Sequence, residues 1–185
     1  MLHEAVNIVN LFIEKNNEVV STKGKVKDWN KQYFSLYSPI DTQIPLVVLV
    51  DNNSASASEI VSGALQDLDR AVILGQRSYG KGLVQQTRPL TYNTQLKVTV
   101  AKYYIPSGRC IQALDYTHKD EEGRVEKVPD SLITAFKTKN GRIIYDGAGV
   151  LPDVKTEPVK YSNILATLLN KNLVIQAEGA FNDNG

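Results

Sequence analysis

The sequence predicts a mixed α/β fold, and three stretches carry that expectation. The apolar run Pro45 to Val50 is followed by a helical pattern over Ala57 to Leu68 and a second apolar run, Ala71 to Leu74, so strand, helix and strand alternate. Leu2 to Lys15 repeats apolar residues at helical spacing. Gln95 to Ile105 instead alternates Leu96, Val98 and Val100 with Lys97 and Thr99, the period-two pattern of a half-buried strand.

In chain order, the first helix places Leu2, Val6, Val9 and Ile13 on one side with Ala5, Ile8 and Phe12 beside them, enough apolar surface to be covered on much of its circumference. Glu18 to Thr22 is expected as a short strand and Lys23 to Gln43 as a polar, aromatic-bearing connection. In the helix Ala57 to Leu68 the buried stripe is Ile60, Val61, Ala64, Leu65 and Leu68. Leu83 runs on as a strand to Pro89, and Pro106-Ser107-Gly108 stops the strand before it. Asp115 to Val128 is charged and without period, the pattern of a surface excursion, whereas Asn140-Gly141 marks a hairpin within Phe136 to Ile144. Ser162 to Asn172 is expected as a last helix. Residues 1–175 then form one domain, and 176–185, small and polar, a disordered tail.

Composition narrows the chemistry. The chain has 185 residues, 42% hydrophobic, with 21 basic and 20 acidic side chains, and no basic patch that would favour nucleic acid. The two histidines, His3 and His118, lack metal-ligand spacing and lend no local support to a Ser/His/Asp triad, so neither metal nor cofactor is expected. The single Cys110 cannot close an internal disulfide and is expected as a small buried residue. Trp29, Tyr33, Phe34 and Tyr37, among Lys27, Lys31 and Gln32, are expected to pack a loop or line a cleft. No apolar run reaches the length of a membrane span.

Two segments carry candidate chemistry: Asn53-Ser54-Ala55-Ser56-Ala57-Ser58-Glu59-Ile60 and Ser78-Tyr79-Gly80-Lys81-Gly82-Leu83-Val84-Gln85. The first falls on a strand-to-helix turn, where helix N–H groups could stabilise the oxyanion of an acyl-transfer intermediate. Its Ser56-x-x-Glu59 spacing is equally a capping box, and sequence physics alone does not choose among Ser54, Ser56 and Ser58. In the second, glycines on both sides of Lys81 permit close backbone approach, and Gln85 shares a strand face with the lysine. Lysine accepts a proton only as the free amine, and the free side chain has a pKa of about 10.4. Lys81 is therefore expected to lie desolvated against Leu83, Val84 and the strand Ala71 to Leu74. Gly75 to Lys81 also fits most of a phosphate-binding loop, but Gly82 stands where Ser or Thr would bind magnesium, and a strand follows instead of a helix.

Together with Ile105-Pro106-Ser107-Gly108-Arg109-x-Ile111-Gln112 and Gly149-Val150-Leu151-Pro152-Asp153, these motifs resemble the C-terminal processing peptidases, or tail-specific proteases, over roughly residues 45–154. The resemblance implies an α/β, crotonase-like spiral core of mixed strands and helices. It makes Ser56 the nucleophile, Lys81 the general base, Gln85 the residue that positions the lysine, and the Ala57 N–H an oxyanion donor. The substrate would be a protein or peptide cut near its C-terminus, the location periplasmic or otherwise extracytoplasmic. In that family a helix like Leu2 to Lys15 follows an Asp-Leu-Arg-x-Asn-x-Gly-Gly motif and a PDZ module. The chain is accordingly expected to be incomplete at the N-terminus, weak as a peptidase by itself, and prone to homo-oligomerise through the uncovered helix. The competing readings are a catalytically silent or peptide-binding module of the same fold, and a nucleotide-binding protein.

Overall fold

The computed structural model describes residues 2–119, 122–158 and 162–170. Chain order is α1 (Leu2–Asn10), β1 (Glu18–Lys23), a 3-10 turn (Lys27–Trp29), β2 (Lys31–Phe34), β3 (Val47–Val50), α2 (Ala57–Asp67) and β4 (Val72–Gly75). Then come β5 (Leu83–Pro89), β6 (Gln95–Tyr104), β7 (Leu114–Lys119), β8 (Val125–Lys127), a 3-10 turn (Asp130–Leu132), β9 (Ala135–Lys137), β10 (Ile143–Tyr145), β11 (Val154–Lys155) and α3 (Asn163–Asn170). The mixed α/β class is as the sequence predicts. The expected tail, 176–185, lies outside the described residues, as do the last two positions of the final helix.

Two sheets organise the core. One is parallel, with strand order β11-β4-β3, and the other is antiparallel, with order β2-β1-β6-β5. α2 packs against both β1 and β4, and α1 against α2 and β1, in one cluster of Val6 and Val9 on α1, Ile60 and Leu65 on α2, Val19 and Val20 on β1, and Ile73 on β4. Ile105, Ile111 and Val150, from the loop segments that follow β6 and β10, complete the same cluster. The two small hairpins β7–β8 and β9–β10 lie outside these sheets.

Four details depart from the sequence expectation. α1 ends at Asn10, not Lys15, because the Asn10 amide accepts the Tyr37 N–H and donates to the Tyr37 carbonyl, both at 2.9 Å, pinning the helix end to a distant loop. The connection 23–43 contains β2, an edge strand opposite β1 whose Lys31, Gln32 and Phe34 are exposed and whose Tyr33 alone packs inward. The stretch expected as a surface excursion folds into β7 and β8. On β6, Leu96 and Val98 are 47% and 38% exposed, since the outer half of the β5–β6 hairpin runs past the core and none of the described residues buries its apolar face. The hairpin at Asn140-Gly141 forms as predicted, with Gly141 at φ 87°.

α2 buries more than an apolar stripe, for Glu59, Ser62, Gln66 and Asp67 are also inaccessible. Asp67 meets Arg109 at 2.9 Å, both side chains being 0% exposed. Arg109 also donates to Gln66 Oε1 at 2.7 Å and the Tyr145 carbonyl at 3.0 Å. Gln66 Nε2 donates to the Leu151 carbonyl at 2.8 Å and Asp153 Oδ1 at 2.9 Å, while Asp153 Oδ2 accepts the Ile73 N–H at 2.8 Å. The late Gly149 to Asp153 motif is thereby tied to α2 and β4. Burial pushes the Asp67 carboxyl up despite Arg109, and burial likewise pulls the Arg109 guanidinium down. Desolvation outweighs the attraction, so the pair orders the core more than it stabilises it.

Asp67→Ala should therefore cost about 3–5 kcal/mol in urea denaturation, by leaving Arg109 buried and unpaired. Replacing both members with apolar residues of similar volume should cost far less.

Candidate active site

The turn between β3 and α2 is built by Asp51. Its Oδ1 accepts the N–H groups of Asn53 and Ser54 at 3.0 and 2.9 Å and the Ser54 hydroxyl at 3.1 Å, and the Asn53 N–H is the chief cause that holds its carboxyl below the ordinary value. Ser54 is thus committed to the turn, and Ser58 is exposed on the first turn of α2. Ser56, half-buried between them, has φ 57° and ψ −111°. Positive φ in a residue with a side chain costs on the order of 1–3 kcal/mol and clusters at functional sites, where surrounding bonds enforce it. The following Ala57 N–H, first of the helix, has no acceptor among the described residues.

Glu59 supplies the enforcing bonds. It is 0% exposed, and Oε2 accepts the Ser56 N–H and the Lys81 N–H, each at 2.8 Å. Oε1 accepts the Gly80 N–H at 2.6 Å and the Ser78 hydroxyl at 2.5 Å. The expected capping interaction is therefore made, and the same carboxylate joins the serine turn to the lysine loop. The Tyr79 N–H adds a second link by donating to the Ser54 carbonyl at 3.0 Å. Ser78 extends the assembly, its Oγ accepting the Val150 N–H at 2.7 Å.

Around Lys81 every main-chain polar group from Gly80 to Gly82 is bonded. The remaining partners are the Ala113 N–H on the Gly80 carbonyl at 3.0 Å, the Tyr103 hydroxyl on the Lys81 carbonyl, the Gln112 side chain under the Gly82 N–H at 2.7 Å, and the Tyr103 N–H on the Gly82 carbonyl at 3.0 Å. The flanking glycines are needed for this proximity. A Cβ on Gly80, at φ 86°, would lie 2.4 Å from the Ala113 Cβ, and one on Gly82 would lie 2.9 Å from the Gln112 nitrogen. Gly80, Lys81 and Gly82 have no N–H left for a phosphate, and they run into β5, not a helix.

The side chain of Lys81 is less enclosed than the sequence suggested. It is exposed in a cleft of about 490 Å³ that it shares with Asn53, Ala55, Tyr79, Leu83 and Gln85. Of the expected walls only Leu83 lines that cleft, since Val84 turns into the core and the strand 71–74 lies elsewhere. Gln85 faces the same space, but its recorded bond is to Thr99 Oγ1 at 3.4 Å, and none joins it to Lys81.

Tyr103, near the end of β6, was not legible as a site residue. It is 3% exposed, and its hydroxyl donates to the Lys81 carbonyl. Burial, then the Glu59 charge, pushes the phenol far above its ordinary value of 10.0. In the sequence Gln112 and Ser78 stand out only as parts of motifs. Their roles rest on contacts across 30 and 19 residues, which no local spacing reveals. Cys110 is partly buried, and burial raises its thiol. His3 is exposed, edge-on to Tyr33, and the side chain of His118 lies outside the described residues. Among the described residues, no group of three His, Cys, Asp or Glu side chains gathers as a metal site, and no helix is long and apolar enough to cross a membrane.

Comparison with known proteins identifies the family. The family model described as peptidase family S41 matches residues 1–120. The carboxy-terminal-processing protease of Bartonella bacilliformis is 42% identical over 117 residues, 63% of this chain and 27% of that protein. The chloroplastic carboxyl-terminal-processing peptidase 1 of Arabidopsis thaliana is 37% identical over 107 residues, 58% of this chain and 22% of that one. The chain thus spans about a quarter of the length of these relatives. Among solved structures, the photosystem II D1 C-terminal processing protease superposes with a TM-score of 0.60 at 28% identity, covering 85% of this chain and 32% of that one.

Two outcomes follow from the site. Glu59→Gln should destabilise the chain by about 1–3 kcal/mol for each donor left facing the amide nitrogen, as measured by denaturant unfolding. Tyr103 has a folded pKa above its unfolded value, so the stability it contributes is complete below about pH 10 and is lost as pH rises toward the folded value. An ultraviolet titration should show one of the nine tyrosines ionising only with alkaline unfolding, and Tyr103→Phe should remove that component.

Proposed function

The chain belongs to peptidase family S41, and from that premise we propose that it carries the Ser/Lys centre of a serine endopeptidase that cuts proteins near their C-termini. The observation that carries the proposal is the shared Glu59 oxygen. One buried atom accepts the main-chain N–H of both Ser56 and Lys81, so the two residues are neighbours by construction.

In this mechanism the Ser56 hydroxyl attacks the scissile carbonyl carbon while the Lys81 amine takes its proton. The oxyanion that forms is met by the unpaired Ala57 N–H at the positive end of α2. Collapse expels the amine product with the proton returned from Lys81, and water then attacks the acyl-serine by the same route. Ser56 is favoured over its neighbours because Ser54 is held by Asp51 and Ser58 is turned to solvent. The exposed Lys81 amine would be covered by the substrate itself, since a peptide lying in the cleft displaces water from it. Gln85, on the same cleft, is the group available to orient the lysine once substrate is present. We place the enzyme outside the cytoplasm, a location in keeping with its resemblance to a chloroplastic relative.

In the intact polypeptide that bears this sequence, Ser56→Ala should lose nearly all hydrolysis of an unfolded protein substrate, while Ser54→Ala and Ser58→Ala should lose much less. Lys81→Arg should be inactive, because a guanidinium stays protonated at any working pH. Gln85→Ala should lower turnover more than it lowers melting temperature. Equal losses for the three serines, or an active arginine variant, would return the segment to a structural turn.

A further inference from the structure

We propose that the Lys81 cleft continues past Tyr79 into a second pocket that binds a carboxylate of the substrate beside an apolar residue, an inference resting on the Ser/Lys reading above. This second pocket has a volume of about 440 Å³. Tyr79, 54% exposed, lines both spaces. The same three chain segments serve both as well, with Asn52, Ser78 and Ala113 on the second pocket and Asn53, Gly80 and Gln112 on the Lys81 cleft. An extended peptide lying over Lys81 therefore enters the second pocket by crossing one phenol ring. Part of its wall comes from the segment after β8, where the Val128 N–H donates to the Ala113 carbonyl at 2.9 Å.

The apolar lining is Ala113, Val128, Ile133 and Ala148, and the charged lining is Arg77 and Lys127, with no acidic residue among them. Both cations are exposed, and neither side chain has a hydrogen bond or ion pair among the described residues. Asp51 and Asp146 adjoin the lining residues Asn52 and Gly147 in sequence, but Asp51 holds the Asn53 and Ser54 N–H groups and Asp146 accepts the Thr134 N–H at 2.7 Å. Two cations without a counter-charge over apolar surface suit an anion that carries hydrocarbon with it. The phosphate-binding loops that Gly75 to Lys81 resembles work through converging main-chain N–H groups. Here the N–H groups of Gln76, Ser78 and Tyr79 already serve the Val50, Val150 and Ser54 carbonyls at 2.9, 3.1 and 3.0 Å. Recognition thus falls to the side chains, and a guanidinium pairs with a carboxylate through two parallel bonds. On a peptide that carboxylate is either the chain terminus or an acidic side chain.

The test uses the intact polypeptide and an apolar fluorogenic peptide made as the free acid, as the C-terminal amide, and as amides in which a single Asn, moved along the chain, is exchanged for Asp. One carboxylate-bearing form should exceed its neutral counterpart in kcat/KM by about 10-fold, the scale of two partly exposed ion pairs. An advantage of the free acid identifies the terminus as the source, and an advantage of Asp at one position identifies a side chain. The advantage should shrink as salt is raised, because exposed charges are screened, and should all but vanish when Arg77→Gln and Lys127→Gln are combined. Equal rates for charged and neutral forms would overturn the proposal, as would an advantage that persists in the double variant or is indifferent to salt. The salt series is read on the unaltered protein, so it can refute the pocket even if the double variant fails to fold. Ser56→Ala assayed in parallel separates the two levels. Turnover that does not depend on Ser56 defeats the peptidase reading and this inference together, whereas Ser56-dependent turnover blind to the carboxylate defeats this inference alone.

Discussion

The site hangs on a buried carboxylate. Glu59 takes two main-chain N–H groups on one oxygen, and a third N–H and a hydroxyl on the other. A carboxylate brought wholly inside a protein is tolerated when its lone pairs are filled in this way. Each donor belongs either to the strained serine turn or to the lysine segment, so the condition that makes Glu59 tolerable also brings the two segments together. The strain at Ser56 has the same origin, since the left-handed turn is held by a bond it would lose on relaxing.

A second polar assembly supports the first from beneath. Asp67 and Gln66, two turns along α2 from Glu59, receive Arg109, which follows β6, and Gln66 also reaches Asp153 and the Leu151 carbonyl. Val150, in the same late motif, donates to Ser78 and so connects back to Glu59. The four sequence motifs are distant along the chain, yet they form one bonded structure around α2. Three of them supply residues that line the cleft holding Lys81 and Gln85, the third through Gln112, while Arg109 and Asp153 act as scaffold.

What could be read in the sequence follows the range of the interactions. Periodicity located α2, β4 and the apolar part of β6, because burial of a face leaves a regular imprint. It did not reveal β2, whose single inward residue, Tyr33, makes no period, nor that Leu96 and Val98 stay uncovered, because alternation names a face but not what packs on it. The glycines beside Lys81 were legible as sites of close approach, and Gly80 and Gly82 do abut Ala113 and Gln112. The surroundings of Lys81 are not legible, since proximity in sequence does not say which side of the strand a residue faces, and Val84 turns into the core. Glu59 was visible as a cap, a contact of three residues' span, while its bonds to Gly80 and Lys81 cross more than twenty positions.

The fully bonded main chain of Gly80 to Gly82 separates shape from reactivity at this locus. Every bond that holds the loop is made by its own backbone atoms, and the lysine side chain contributes none of them. Genetic drift that replaced Lys81 with another unbranched residue would meet no resistance from folding, whereas drift at either neighbouring glycine would collide with the adjacent segment at once. A lineage built on this scaffold can thus shed its reactive amine and keep its architecture. The durable record of ancestry in such a lineage lies in the glycines and Glu59 more than in the lysine.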